Sequence, residues 1–388
     1  MKSNPFLHLV QDSYLFPEIT RKKELFLKNN PGAALISLGI GDTTEPLTPF
    51  VAEKLREGAL ALGTKEGYTG YGPAFGIEAL RKKISEKIYG NLVAADEIIL
   101  SDGAKSDLGR LQFLIPAGAK VAIQDPAYPV YVDTSVMTGK SLIYLPCRPE
   151  NDFFPDLALA KDADVIIFCT PNNPTGQAAT REQLETLVRF CQKNQILLIV
   201  DAAYAAYIQD PDIPKSIYEI DGAKEVAIEV GSFSKMAGFT GIRLGWTVIP
   251  SDLTFEDGRS VKKSWERIAS TFFNGPSNLA QLGGVAVLEE SIFPINLYMD
   301  NARKLKTAIS SLGYQAFGGS NAPYIWVKFE GKKSWEIFDL LMEKCHLITT
   351  PGSGFGENGE GFVRFSAFTK PDNIQTAIDR LTQNSHRL

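Results

Sequence analysis

Short runs of apolar, largely β-branched residues alternate with amphipathic helices through the middle of the chain, and this alternation constrains the fold most. The runs at residues 164–169, 196–201 and 226–230 are apolar without polar alternation, so each predicts a strand buried on both faces. Further strands are predicted at residues 97–100, 120–124 and 244–249, and helices near 128–137 and at 181–194. Strands of this kind separated by helices predict an α/β fold with a mostly parallel sheet.

The pattern changes in the last quarter of the chain. Helices are predicted at 301–312, 334–344 and 373–381, and strands at 324–329 and 361–367. The first 45 or so residues are too short and irregular to fold alone, so we expect them to pack on this C-terminal segment. We therefore predict a large domain over residues 46–298 and a discontinuous, smaller α+β domain from residues 1–45 and 299–388.

Composition excludes several classes of protein. The 388 residues include 40 Lys and Arg against 45 Asp and Glu, and a net charge of −5 argues against a general nucleic-acid binder. Four separated cysteines without a CxxC pair, together with three histidines, argue against a metal site. No apolar run is long enough to span a membrane or to act as a signal peptide. We expect no metal, no membrane span and a cytoplasmic location.

Polar residues follow the predicted strands, where ligands gather in open α/β sheets. Asp201 comes directly after the run ILLIV, and Tyr204 lies three residues later. Lys235 follows the next strand within the apolar, Gly- and Ser-rich sequence GSFSKMAGF, and Arg243 comes eight residues after it. Burial of this lysine would lower its pKa and provide a neutral amine for Schiff-base chemistry.

A second signal is the sequence Gly103-Ala104-Lys105, which opens a predicted helix after a strand. The free backbone N–H groups at such a helix start favour an anion. A phosphorylated pyridine aldehyde would use the whole set, because it needs a lysine for the imine, an acid at the ring nitrogen, a donor at the ring hydroxyl and a phosphate cup.

Five further patterns are Tyr71-x4-Gly76-x3-Leu80-Arg81, Pro171-Asn-Asn-Pro-Thr-Gly176, Asp201-x2-Tyr204, Ser232-x-Ser-Lys235 and Arg364 within FVRFS. Through these motifs the sequence resembles the fold-type I, pyridoxal-phosphate-dependent aminotransferases of the aspartate aminotransferase superfamily over nearly its whole length. Through SYLFPEI, LGIGDTTEPLTP, EGYTGYG, SDGAKSD and DPAYPVYVD it looks, within that superfamily, most like the group that acts on LL-diaminopimelate.

The resemblance implies a role for each matching residue in binding pyridoxal 5'-phosphate. Lys235 would carry the cofactor as a Schiff base and move the proton, and Asp201 would pair with the ring nitrogen. The remaining residues would hold the ring or the phosphate: Asn173 and Tyr204 at the ring oxygen, Tyr128 on the ring face, and Ala104, Lys105, Ser232, Ser234 and Arg243 around the phosphate. Tyr71 would reach the phosphate of the neighbouring subunit, which implies a homodimer.

The resemblance also implies the substrate contacts. Arg364 would bind the α-carboxylate of an amino acid or a 2-oxo acid, with Tyr128 and Asn173 nearby. The rest of the substrate would contact Tyr14, Gly41, Lys105 and, from the other subunit, Asn274. A phosphate role for Lys105, a turn cap at Asn274 and a packing role for Tyr14 are the alternatives.

One position departs from the pattern expected of relatives that act on diaminopimelate. Ala74 stands where an acidic residue would neutralise the distal ammonium group of that substrate, so substrate choice should be looser. The predicted reaction is a ping-pong transamination that converts LL-2,6-diaminopimelate and 2-oxoglutarate to tetrahydrodipicolinate and glutamate. The alternatives are an aminotransferase for another amino acid, aspartate or aromatic, and a C–S lyase using the same cofactor.

Overall fold

A seven-stranded sheet flanked by helices forms the centre of the fold. The computed structural model describes residues 2–10 and 15–388, and it confirms the predicted α/β architecture, with a mixed, mostly parallel sheet and a second, smaller sheet. The strands are β1 Ile36–Ser37, β2 Ile98–Ser101, β3 Lys120–Asp125, β4 Ser141–Pro146, β5 Val165–Cys169, β6 Leu197–Asp201, β7 Ala227–Ser232, β8 Gly245–Val248, β9 Gln315–Gly318, β10 Tyr324–Lys328, β11 Leu347–Ile348, β12 Thr350–Pro351 and β13 Phe362–Ser366.

The helices cover both faces of the large sheet and one side of the smaller one. They are α1 Leu15–Asn29, α2 Pro49–Ala61, α3 Glu78–Lys87, α4 Ala104–Leu111, α5 Pro129–Met137, α6 Arg181–Asn194, α7 Phe233–Met236, α8 Val261–Phe272, α9 Asn278–Glu290, α10 Ile295–Ser311, α11 Ser334–Cys345 and α12 Pro371–Asn384. No helix in residues 2–10 and 15–388 is both long and apolar enough to cross a membrane.

The strand order of the large sheet is β2-β8-β7-β6-β5-β3-β4, and β8 alone of the seven runs opposite to the others. Every residue of β5 and β7 is buried, as expected of strands covered by helices on both faces. Because the carboxyl ends of the parallel strands meet at one edge, the segments that follow β2, β3, β5, β6 and β7 meet there as well. The reversed direction of β8 brings its first residue, Gly245, to that same edge, opposite Ser232 of β7.

The smaller sheet is antiparallel, in the order β12-β13-β10-β9; α10 and α11 pack against it, and α12 packs against these two helices. Near the chain start, β1 pairs in parallel with β11, so Ile36 lies opposite Leu347. The N-terminal segment after β1 continues along the smaller sheet, where the Leu38 carbonyl accepts a hydrogen bond from the Ser366 amide. This pairing carries residues 39–42 to the edge of the large sheet.

Local sequence accounts for several element boundaries. Thr180 caps α6 by accepting a hydrogen bond from the Gln183 amide, and the Gln183 side chain accepts from the Thr180 amide, which is a capping box. Helix α10 begins at Ile295, six residues before its predicted start. The prediction missed these first turns because they bury Tyr298 and Met299 and lack polar periodicity. Strands β1, β4, β9, β11 and β12 were not predicted. Strand β9 is a half-exposed edge strand without a strong apolar signal, and β1, β11 and β12 have only two residues each.

Candidate active site

A cavity of about 370 Å³ lies at the carboxyl edge of the large sheet. It is lined by segments from both sheets and from the chain start, which is typical of ligand sites in open α/β folds. Twelve of the residues predicted from sequence line it together: Gly41, Ala104, Lys105, Tyr128, Asn173, Asp201, Tyr204, Ser232, Ser234, Lys235, Arg243 and Arg364.

Lys235 lies on the short helix α7, directly after β7. Its Nζ donates a hydrogen bond to the carbonyl oxygen of Gly41, which comes from the chain start. Burial lowers the pKa of Lys235 from 10.5 to about 8, while the nearby Asp42 carboxylate acts in the opposite direction. The neutral amine required of a nucleophile or a base is therefore accessible near neutral pH.

Asp201 ends β6 and is buried at the bottom of the cavity. One carboxylate oxygen accepts a hydrogen bond from the Tyr131 hydroxyl at 2.7 Å, and the other accepts from the Ala203 amide at 3.0 Å. Burial raises the pKa of Asp201, and these two hydrogen bonds act against that rise. A buried carboxylate with only neutral donors favours a cationic or protonated partner in the cavity.

The start of α4, helix α7 and Arg243 converge on a cup that is suited to an anion. Ser232 Oγ accepts a hydrogen bond from the Ser234 amide at 3.1 Å, and Arg243 donates to Ser234 Oγ at 3.3 Å. Gly103 precedes α4 with a φ of 131°, and no side chain caps the helix start. A Cβ at Gly103 would lie 2.6 Å from a terminal nitrogen of Arg243, so only glycine lets the guanidinium approach this helix start.

Arg364 lies in the middle of β13 and is 1% exposed. It donates to Asn173 Oδ1 and to the Gly39 carbonyl, both at 2.5 Å, and its Nε has no hydrogen-bond partner within the described residues. Its guanidinium lies 4.4 Å from the ring centroid of Tyr324 and 5.0 Å from that of Phe355. A buried cation with an unpartnered donor is suited to a ligand carboxylate.

Two tyrosines at the site were not predicted from sequence. Tyr131 orients Asp201, and the Tyr324 hydroxyl lies 2.6 Å from the Tyr204 hydroxyl. Tyr128 and Tyr131 are three residues apart at the start of α5, and such residues lie on the same face of a helix. This spacing could have predicted that Tyr131 lies at the site with Tyr128. Tyr324 lies in the apolar run of β10, where its sequence is indistinguishable from that of a core residue.

Two other predicted residues do not line the cavity of this chain. Tyr71 is 89% exposed, and Asn274 is also exposed. Their segments are neighbours, because the Asn278 side chain donates to Thr69 Oγ1 at 2.8 Å and to the Gly70 carbonyl at 3.1 Å. Tyr14 lies outside the described residues. The assignment of Tyr71 and Asn274 to the neighbouring subunit stays a prediction.

The chain is similar to known aminotransferases along almost its whole length. Residues 33–381 match the family model described as aminotransferase class I and II. The chain is 50% identical to the LL-diaminopimelate aminotransferase of Protochlamydia amoebophila, with 98% of this chain and 97% of that protein covered. It is 48% identical to the chloroplastic LL-diaminopimelate aminotransferase of Arabidopsis thaliana, with 98% and 86% covered.

A solved structure agrees with these relatives. The L,L-diaminopimelate aminotransferase from Chlamydomonas reinhardtii superposes with a TM-score of 0.95 at 50% identity, and the match covers 99% of both chains. Family model, relatives and superposition all span the segments that build the cavity. The chain therefore belongs to the aminotransferase class I and II family.

Proposed function

We propose that this protein is a pyridoxal-phosphate-dependent aminotransferase that transfers an amino group between LL-diaminopimelate and 2-oxoglutarate. The observation that carries the proposal is that one cavity holds four groups together: Lys235, with a pKa of about 8, the buried Asp201 carboxylate, the cup at Arg243 and the buried Arg364. The relatives at 50% and 48% identity, which are LL-diaminopimelate aminotransferases, support the choice of substrate.

The donor set fits the charged and reactive parts of pyridoxal phosphate. Lys235 would bind the aldehyde carbon, and the Arg243 cup with the start of α4 would bind the phosphate. Asp201 would pair with a protonated ring nitrogen, which would compensate the cost of burying its charge. When bound, this cofactor accepts electrons from the substrate and so stabilises negative charge at the substrate Cα.

The protein's own groups then bind the substrate and move the proton. Arg364, whose Nε is unpartnered within the described chain, would bind the α-carboxylate and so orient the Cα–H bond. Lys235, once free, would remove that proton and later return it, and a pKa of about 8 suits both directions near neutral pH. Its position beside the Gly41 carbonyl keeps the amine at the cavity while it is not bonded to cofactor.

The distal amino-carboxylate group of diaminopimelate needs polar partners far from Arg364. Lys105 lines the cavity, with its Nζ 6.0 Å from the ring centroid of Tyr128, and it supplies a cation for the distal carboxylate. We assign neutral contacts to Tyr14 and to Asn274 of the other subunit. Because Ala74 offers no carboxylate, meso-diaminopimelate and lysine should react measurably.

We propose a homodimer in which each subunit completes the site of the other. The exposed segment that carries Tyr71 packs against the segment that carries Asn274, so both residues lie on one surface. Three exposed apolar side chains lie near these segments. Tyr68 is on the segment that carries Tyr71, and Leu60 and Leu282 are on helices α2 and α9, which pack together. A monomer would expose this surface to water, and burial in a dimer would remove it.

We also propose the domain limits 46–298 for the large domain and 1–45 with 299–388 for the smaller one. All seven strands of the large sheet fall within the first range, and the four strands of the antiparallel sheet fall within the second. The pairing of β1 with β11 supports the assignment of the chain start to the smaller domain.

The decisive experiment is a panel of amino donors with 2-oxoglutarate, in which kcat/KM is measured by glutamate formation. LL-diaminopimelate should exceed aspartate, tyrosine and alanine, and Lys235→Ala protein serves as the inactive control. A higher kcat/KM for any of those three would overturn the substrate assignment. Release of pyruvate and ammonia from cystathionine without an acceptor would instead favour the C–S lyase.

Two further measurements test the cofactor and the dimer. Borohydride reduction of the loaded protein should attach the cofactor to Lys235, and a label on any other lysine would contradict the assignment. Mixing inactive Lys235→Ala and Tyr71→Ala subunits should restore activity, because one of the two sites then holds both native residues. No recovery after verified subunit exchange would exclude a shared site.

A further inference from the structure

We infer that Tyr324 is a positioning residue that donates its hydroxyl proton to the Tyr204 oxygen and thereby makes Tyr204 a stronger hydrogen-bond donor to the cofactor ring oxygen. This inference rests on the proposed cofactor. Tyr324 comes from the smaller sheet and Tyr204 from the segment after β6, yet their hydroxyl oxygens lie 2.6 Å apart.

Hydrogen-bond counting fixes the direction of this contact. Each tyrosine hydroxyl has one proton to donate, and either of the two could be the donor in the protein alone. If Tyr204 gives its proton to the ring oxygen, the bond between the tyrosines can only run from Tyr324 to Tyr204. Within the described residues, Tyr204 is the sole hydrogen-bond partner of the Tyr324 hydroxyl, so no other acceptor competes.

The surroundings favour Tyr324 as the donor. Both tyrosines are buried, with Tyr204 6% and Tyr324 1% exposed, so water does not replace the bond between them. Burial raises the pKa of Tyr324, but the Arg364 guanidinium, 4.4 Å from its ring centroid, acts in the opposite direction. Burial also raises the pKa of Tyr204, and the same guanidinium acts against that rise, but the ring that it contacts is that of Tyr324. A hydroxyl that accepts a hydrogen bond donates more strongly itself.

The chain start fixes the position of the Tyr324 hydroxyl. A Cβ at Gly41 would overlap this oxygen, so Tyr324 approaches Tyr204 only because residue 41 is glycine. The two rings meet edge to face, with centroids 5.1 Å apart. The contact is therefore a defined feature of the site rather than the end of a mobile side chain.

The test is a pH titration of the visible absorbance of cofactor-loaded protein, which reports the pKa of the bound Schiff base. A weaker donor at the ring oxygen makes that oxygen more basic, so Tyr324→Phe should raise this pKa by roughly half a pH unit. Tyr204→Phe should raise it further. The double variant should match Tyr204→Phe alone, because Tyr324 acts only through Tyr204.

Controls separate this role from packing. Tyr324→Phe keeps the ring beneath Arg364, so KM for the amino donor should stay unchanged while kcat falls severalfold. Tyr218→Phe, which removes another buried hydroxyl bonded to the Ala227 and Val248 carbonyls, should leave the Schiff-base pKa unaltered. An unchanged pKa in Tyr324→Phe, or additive shifts in the double variant, would overturn the inference. Wild-type protein without visible absorbance after loading would instead refute the proposed cofactor.

Discussion

Replacing Lys235 with methionine should stabilise the cofactor-free protein at pH 7. Burial holds the pKa of this lysine at about 8 instead of 10.5, so the folded state carries a disfavoured charge. A shift of that size corresponds to about 3 kcal/mol. Loss of the hydrogen bond to the Gly41 carbonyl offsets about 1 kcal/mol of this, which leaves a net gain of about 2 kcal/mol.

The pH dependence gives this prediction its sign. Since the folded-state pKa lies below the unfolded value, the unfolded chain binds more protons between pH 8 and 10.5, and wild-type stability rises with pH in that window relative to the variant. The advantage of Lys235→Met should therefore be full below pH 8 and absent above about 10.5. Other titrating groups are common to both proteins and cancel in the difference.

The assay is urea unfolding of the two cofactor-free proteins at pH 7 and pH 10, followed by tryptophan fluorescence. Lys82→Met is the matched control, because Lys82 is 68% exposed and its pairing with exposed Glu78 contributes little. Lower stability of Lys235→Met than of wild type at pH 7 would refute the reasoning. So would a difference in unfolding free energy that does not shrink between the two pH values.

Three other substitutions test separate features of the site. Asp201→Asn should lower kcat roughly 100-fold or more, measured by glutamate formation, because an amide cannot compensate a buried cationic ring nitrogen. Asp42→Asn should move the acid limb of the kcat–pH profile to lower pH, because the Asp42 charge raises the pKa of Lys235; a limb shifted upward would contradict this. Gly41→Ala should cost about 1–3 kcal/mol of unfolding free energy and reduce kcat/KM, because its Cβ overlaps the Tyr324 hydroxyl; an unaffected variant would argue against that contact.

The sequence predicts those site residues that lie at the carboxyl ends of the parallel strands. Asp201, Ser232 and Lys235 follow apolar strands, and parallel strands bring their carboxyl ends to one edge whatever the strand order. The order of apolar runs and polar residues along the chain is therefore sufficient to predict that these three side chains lie together. The alternation of strands and helices predicted the α/β class for the same reason.

The contacts between the two sheets were not predictable in this way. Tyr324 is one of several aromatic residues in apolar runs, and only the packing of β10 against the segment after β6 brings it to Tyr204. Tyr131 lies inside α5, where a tyrosine normally packs in the core. Such contacts depend on tertiary geometry, which neither periodicity nor spacing encodes.

Arg364 differs from Gly41 and Ala74 in how the backbone holds it. Arg364 lies within β13, between β10 and β12, so ladder hydrogen bonds on both sides fix its backbone. Gly41 and Ala74, in contrast, lie in segments outside the strands and helices. A substitution at Ala74 leaves the strand that holds the arginine intact. Related chains can therefore differ in the substrate side chains that they bind, while they retain recognition of the α-carboxylate that all amino acids share.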